Sequence, residues 1–120
     1  MDLVLLDTNM QPIVTDFKTA KQSKAQSAVD EDIQMSVYSY LMTENGYTDL
    51  NKPLDCRFQV FRKLKTPKME VITTLRTQTH RARLIKILNT VLSGIESRVF
   101  IPNKGWLCSD CSHADACKAW

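Results

Sequence analysis

The stretch Ile13-Val14-Thr15-Asp16-Phe17-Lys18-Thr19 constrains the fold of this chain more than any other. Its β-branched and aromatic residues predict a strand. Side chains two apart on a strand share a face, so Asp16 and Lys18 emerge together beside apolar neighbours. Aspartate is depleted in strands, and one at the end of an apolar run costs stability unless it has a partner. Leu3–Thr8 reads as a short buried strand that precedes it across the short polar link Asn9-Met10-Gln11, which suits a hairpin turn. If the hairpin folds about Asn9, Asp2 falls opposite Asp16 with Cβ atoms roughly 5 Å apart. Two carboxylates that close repel unless a cation sits between them, and Mg²⁺ or Mn²⁺ with oxygen ligands would resolve the conflict. Asp7, closer to the turn, is the fallback carboxylate. The competing reading makes Asp16 and Lys18 a structural ion pair.

The remaining chain reads as follows. Lys21–Ser27 is polar, basic and aperiodic, a candidate mobile loop. A helix capped by Ser27 or Asp30 runs to Asn45-Gly46, with Ile33, Val37, Tyr40 and Leu41 as its apolar stripe. Gln34 and Tyr38 lie four apart, hence on one helix face, where they can reach the carboxylates or a phosphate. Alternation predicts a half-buried strand over 55–64 with Cys56 as a small core residue, then a partner strand through Met69, Val71, Thr73 and Leu75. Thr77 or Thr79 caps a long helix ending near Val99, with Leu84, Leu88, Val91, Leu92, Ile95 and Val99 on one face. His80 reads as a surface residue. The order is β-β-α-β-β-α with an irregular cysteine-rich tail: an α/β or α+β mixed sheet, with a core over 1–99 and a tail over 100–120.

At 120 residues there is room for one domain, and 43% hydrophobic with 24% charged residues is ordinary globular composition. The longest apolar run is Leu3–Leu6, so no membrane span is expected, and no secretory signal opens the chain. A cytoplasmic protein with reduced thiols is the expectation. Residues 57–104 carry eleven Lys/Arg against two acids, net +9, while the rest carries five against eleven, net −6. A basic half beside an acidic half suits a protein that tracks a polyanion with one and holds cations with the other. Arg57, Arg62, Lys63, Lys65 and Lys68 are the candidate contacts to a DNA backbone, or else solvated charges guarding a sheet edge.

Asp2-Leu3-Val4, Val14-Thr15-Asp16-Phe17-Lys18-Thr19 and Asp32-Ile33-Gln34-Met35-Ser36-Val37-Tyr38 together resemble the RecB-like branch of the PD-(D/E)XK nucleases, with an Asp opening one strand, D-x-K closing the next and Q-x-x-x-Y on the following helix. The resemblance implies a restriction-endonuclease-like core and phosphodiester hydrolysis in DNA, often by exonucleases of recombination or repair, with a helicase or recombination subunit as partner. It assigns Asp2, Asp16 and the Phe17 carbonyl to the catalytic Mg²⁺, Lys18 to the water, and Gln34 and Tyr38 to organising the site and contacting DNA. Members of that branch normally carry a helical region before the first Asp, so the resemblance implies a C-terminal part of such a domain, or an unusually minimal one. A nucleic-acid-binding module of the same fold without catalysis is the alternative.

Cys108, Cys111 and Cys117 crowd into ten residues, a spacing at which thiolates can converge on one metal. The resemblance to nucleases with three C-terminal cysteines implies a [4Fe–4S] cluster completed by an upstream cysteine. Zinc with His113 as fourth ligand is the rival.

Overall fold

The computed structural model describes Met1–Ala119. Four strands, β1 (Leu3–Leu6), β2 (Pro12–Ala20), β3 (Leu54–Arg62) and β4 (Lys68–Arg76), form one sheet in the order β1-β2-β3-β4. The outer pairs are antiparallel hairpins, while β2 and β3 run parallel. A parallel pair needs a crossover, and here two helices supply it: α1 (Gln26–Asp30) and α2 (Ile33–Glu44). α3 (Gln78–Glu96) follows β4, and a 3₁₀ turn (Trp106–Asp110) and α4 (Ala114–Ala119) complete the described chain. This is an α+β mixed sheet with helices. No helix is long and apolar enough to cross a membrane. Contact density divides the chain into two units, Met1–Ile87 and the stretch from Leu88 onward.

Within the first unit, Val14, Leu54, Cys56, Phe58 and Val60 from one sheet face pack with Val29, Met35 and Met42 from the helices. β1 was expected to be buried and to reach Thr8, but it is an edge strand that ends at Leu6, and Leu3, Val4 and Leu6 are exposed. It stops there because the Asp7 carboxylate accepts the N–H groups of Asn9 and Gln11 (2.8 Å each) and closes the turn. Asp7 is thereby a turn residue and not a spare site carboxylate. Met10 takes the left-handed conformation in that turn, φ 59°.

The single expected helix is two. Asp32 interrupts it and caps α2, its Oδ1 accepting the Gln34 N–H at 3.0 Å. The expected stripe faces outward in part, with Ile33 50% and Leu41 44% exposed, and the buried line is Met35, Ser39 and Met42. α2 carries apolar residues all round, so periodicity does not choose its inner face; contact with the sheet does. α3 shows its predicted stripe, yet only Leu84 is buried, and Leu88, Val91, Leu92, Ile95 and Val99 are exposed. At its start the His80 Nδ1 accepts the Thr77 N–H (3.1 Å), so His80 is a half-buried structural residue rather than a surface one.

Two arginines that sequence reasoning missed hold the helices to the sheet. Arg76, fully buried at the end of β4, donates to the carbonyls of Val29 (2.9 Å), Asp30 (2.7 Å) and Asp32 (3.0 Å), the bend between α1 and α2. Arg81, also buried, donates to Ser39 Oγ (2.8 Å) and to the carbonyls of Leu50 and Lys52.

Candidate functional site

The β1–β2 hairpin pairs Leu3 with Thr15 and Leu6 with Pro12, the register in which Asp2 falls opposite Asp16. Asp16 lies on the core side of β2 and is 2% exposed. Burying a charge this thoroughly costs free energy unless it is paired and hydrogen-bonded, and the fold supplies both. Tyr38 donates its hydroxyl to Asp16 Oδ1 (3.0 Å), Gln34 Nε2 reaches the same oxygen (3.3 Å), and Gln34 and Tyr38 are themselves bonded at 2.6 Å. The terminal ammonium of Met1 stands 3.7 Å from that oxygen. The Lys18 ammonium stands 2.7 Å from Asp16 Oδ2. At that distance the lysine is the charge-assisted partner of this buried oxygen.

Asp2 is exposed at the rim, and its Oδ2 accepts the Phe17 N–H at 2.7 Å. The expectation that both acids turn toward a shared centre is met only in part, because this oxygen has turned along the strand to replace a ladder bond. Backbone N–H and C=O of one strand residue face the same edge, so the Phe17 carbonyl lies on the Asp2 side. Two carboxylates and a carbonyl are the hard-oxygen donors that Mg²⁺ or Mn²⁺ accepts, with water completing the shell. The chemistry of that donor set, not an orphaned oxygen, is what fits such an ion, since Lys18 occupies Asp16 Oδ2. Among the described residues no three acidic, histidine or cysteine side chains gather into a ligand set.

The electrostatics follow from this packing. Asp16 beside it raises the Lys18 ammonium above the ordinary lysine value, outweighing the opposite effect of burial, with smaller help from Tyr38 and Asp2. Lys18 is therefore a cation at neutral pH, fitted to stabilise negative charge and not to take up a proton. Burial, reinforced by its bond to Asp16, raises Tyr38, so its hydroxyl stays a donor.

Below the acids lies Phe58, the residue that pairs with Asp16 across β2 and β3 and is fully buried. Lys18 Nζ is 5.6 Å from its ring centroid and Lys24 Nζ is 4.5 Å away. Sequence reasoning missed Lys24 because it placed Lys21–Ser27 in a mobile loop. The loop is instead tied down: Arg62 donates to the Lys21 carbonyl (2.9 Å), Ser23 donates to Glu70 (2.8 Å), and Gln26 donates to the Thr73 carbonyl (2.8 Å).

The basic candidates divide accordingly. Arg62 pairs with Glu70 at 2.8 Å and Arg57 donates to Thr15 Oγ1 at 2.9 Å, both internal contacts. Lys63, Lys65 and Lys68 are exposed on the hairpin, Lys68 standing 3.7 Å from Glu70. Cys56 is a core thiol, pushed up to about 12 by burial and so inert at neutral pH.

In the second unit Cys108, Cys111 and Cys117 are free and exposed, and with His113 they form no ligand cluster among the described residues. Two of the thiols serve their own turns, Cys108 Sγ accepting the Gly105 N–H (3.3 Å) and Cys111 Sγ the His113 N–H (3.4 Å). The described tail thus gives no support to the expected iron–sulfur or zinc site.

A family model described as the PD-(D/E)XK nuclease superfamily matches residues 1–118. No curated protein and no solved structure matches the chain.

Proposed function

We propose that this chain, which belongs to the PD-(D/E)XK nuclease superfamily, hydrolyses phosphodiester bonds in DNA using Mg²⁺ or Mn²⁺ held by Asp2, Asp16 and the Phe17 carbonyl. The family gives the nuclease-type fold and a nucleic-acid substrate class, and generally uses one of these ions. The observation that carries the reading is Asp16: a buried carboxylate gripped through one oxygen by Tyr38 and Gln34, with the Lys18 ammonium on the other. A divalent ion there would lower the pKa of its bound water and neutralise phosphoryl charge.

The residues of the chain do the rest. Tyr38 and Gln34 orient Asp16 through Oδ1, leaving Oδ2 to Lys18 and the ion. The Lys18 ammonium stabilises the charge that grows on the phosphoryl oxygens. Lys63, Lys65 and Lys68 contact the DNA backbone from the hairpin. The ordered set Asp2, Asp16-Phe17-Lys18, Gln34 and Tyr38 supports the RecB-like branch, whose resemblance carries exonuclease action in recombination or repair and a helicase or recombination subunit as partner; the cytoplasmic setting rests on the sequence pattern alone.

The test is hydrolysis of end-labelled DNA by the purified chain with Mg²⁺, with Mn²⁺ and with EDTA. Asp16→Ala is expected to slow cleavage by about three orders of magnitude, roughly 4 kcal/mol of barrier. Cleavage by Asp16→Ala at the wild-type rate would overturn the reading. The engagement of Asp2 Oδ2 by the Phe17 amide favours a second reading, a DNA-binding module without catalysis. It predicts binding without divalent-dependent cleavage and a silent Asp16→Ala.

A further inference from the structure

Lys24 is the one lysine of the β2–α1 loop that stands over an aromatic ring, and everything around it is held. Arg62, Ser23 and Gln26 tie the loop to β3 and β4 on both sides of it. Its ammonium meets Asp32 Oδ2 at 3.0 Å while the other oxygen of Asp32 caps α2, so Lys24 is fixed to the helix that carries Gln34 and Tyr38. The Phe58 ring beneath it is fully buried, a rigid floor. Lys18 Nζ faces the same ring, so the two ammoniums lie at most about 10 Å apart, their two ring distances placed end to end. That is a span of up to about three nucleotides at roughly 3.4 Å of rise each.

The Asp32 ion pair is partly exposed and contributes little, the ring contact adds a modest attraction, and three other contacts already secure the loop. Each ammonium has one carboxylate partner, Asp16 for Lys18 and Asp32 for Lys24, which leaves donors on both for a strand lying across them. An ammonium has three donors, and Asp32 takes one of them.

We propose that Lys24 is a second phosphate contact of this site: Lys18 meets the phosphate beside Asp16, Lys24 meets a neighbouring phosphate of the same nucleic-acid strand, and the Phe58 ring lies between them. The proposal rests on the nuclease reading for its substrate class. The contact is to backbone and not to bases, so it is indifferent to sequence and strengthens binding through counterion release.

The experiment measures binding of the full chain to a fluorescein-labelled single-stranded oligonucleotide by anisotropy, in EDTA, from about 50 to 200 mM salt. Lys24→Ala is expected to weaken binding several-fold and to reduce the slope of log affinity against log salt by about 0.7, one phosphate contact on a single strand. Lys24→Arg restores both, and Lys52→Ala leaves both unchanged. Under cleavage conditions Lys24→Ala raises KM several-fold with kcat little altered. A Lys24→Ala protein that melts like wild type and binds with wild-type affinity and slope overturns the proposal, as does wild type that fails to bind. Lys24-dependent binding without Asp16-dependent cleavage removes the nuclease reading and leaves the phosphate contact standing. Asp16-dependent cleavage with a silent Lys24→Ala does the reverse.

Discussion

Asp16 and Cys108 both carry groups whose chemistry depends on what surrounds them, and the two units of the chain surround them in opposite ways. Around Asp16, Lys18 two residues on is joined by partners from far along the sequence: Tyr38 and Gln34 from α2, with Phe58 from β3 beside them. Around Cys108 the partners are local, the amide of Gly105 and the turn it belongs to. A side chain fixed by distant elements has its position set by the whole fold, and losing one partner strands a buried polar group. A side chain served by its own turn is set by a few residues and stays in water when it changes. The first kind of arrangement sustains a pre-organised reactive centre; the second, as described, does not.

The largest expected break comes at Arg76. Arg76→Ala removes the side-chain donor to the carbonyls of Val29, Asp30 and Asp32 and opens a cavity, and should cost roughly 3 kcal/mol or more by chemical denaturation. Loss below 1 kcal/mol would mean the α1–α2 bend is held by something else. Tyr38→Phe should follow, at about 1–2 kcal/mol of stability or barrier height, read as a roughly ten-fold slower cleavage with a folded protein.

His80 sharpens the comparison through pH. Burial first, then Arg76, lowers its pKa below the usual histidine value near 6.5. The folded state therefore binds fewer protons there than the unfolded one. The stability His80 contributes is full above about pH 6.5 and is lost as pH falls through its lower folded value. Thermal melts between pH 7.5 and 5 should show the decline, and His80→Gln should flatten it. The smallest effect belongs to the tail. Cys108→Ser should shift stability by no more than about 0.5 kcal/mol, as for an exposed side chain. A large destabilisation, with colour or zinc lost from the purified protein, would break the contrast by giving the tail a metal after all.

What could be read from the sequence divides along the same line. Asp16 with Lys18, Gln34 with Tyr38, and the pairing of Asp2 toward Asp16 depend on periods of two and four and on a short turn, so local spacing was enough to find them. The inner face of α2 was not legible, because Ile33, Val37 and Leu41 are as apolar as Met35 and Met42, and only the sheet decides between them. Arg76 and Arg81 were invisible for another reason. Their partners are mainly main-chain carbonyls 29 to 47 residues away, which leave no side-chain signature. Lys24 was hidden by the polar composition of a loop that long-range contacts immobilise. The break at Asp32 did have a signal, an acidic residue two before Gln34 in a capping position, masked by the neighbouring Asp30 and Glu31.

The parallel seam between β2 and β3 has a consequence for how the molecule comes into being. Hairpins zip from their turns, but β2 and β3 can join only after the excursion through α1 and α2 has closed, and such distant closure is slow. Asp16 borders that seam and draws its partners from the excursion itself. A nascent chain that has not yet added β3 therefore carries every acid of the site but no assembled centre, and onset of catalysis should lag behind formation of the first hairpin during refolding.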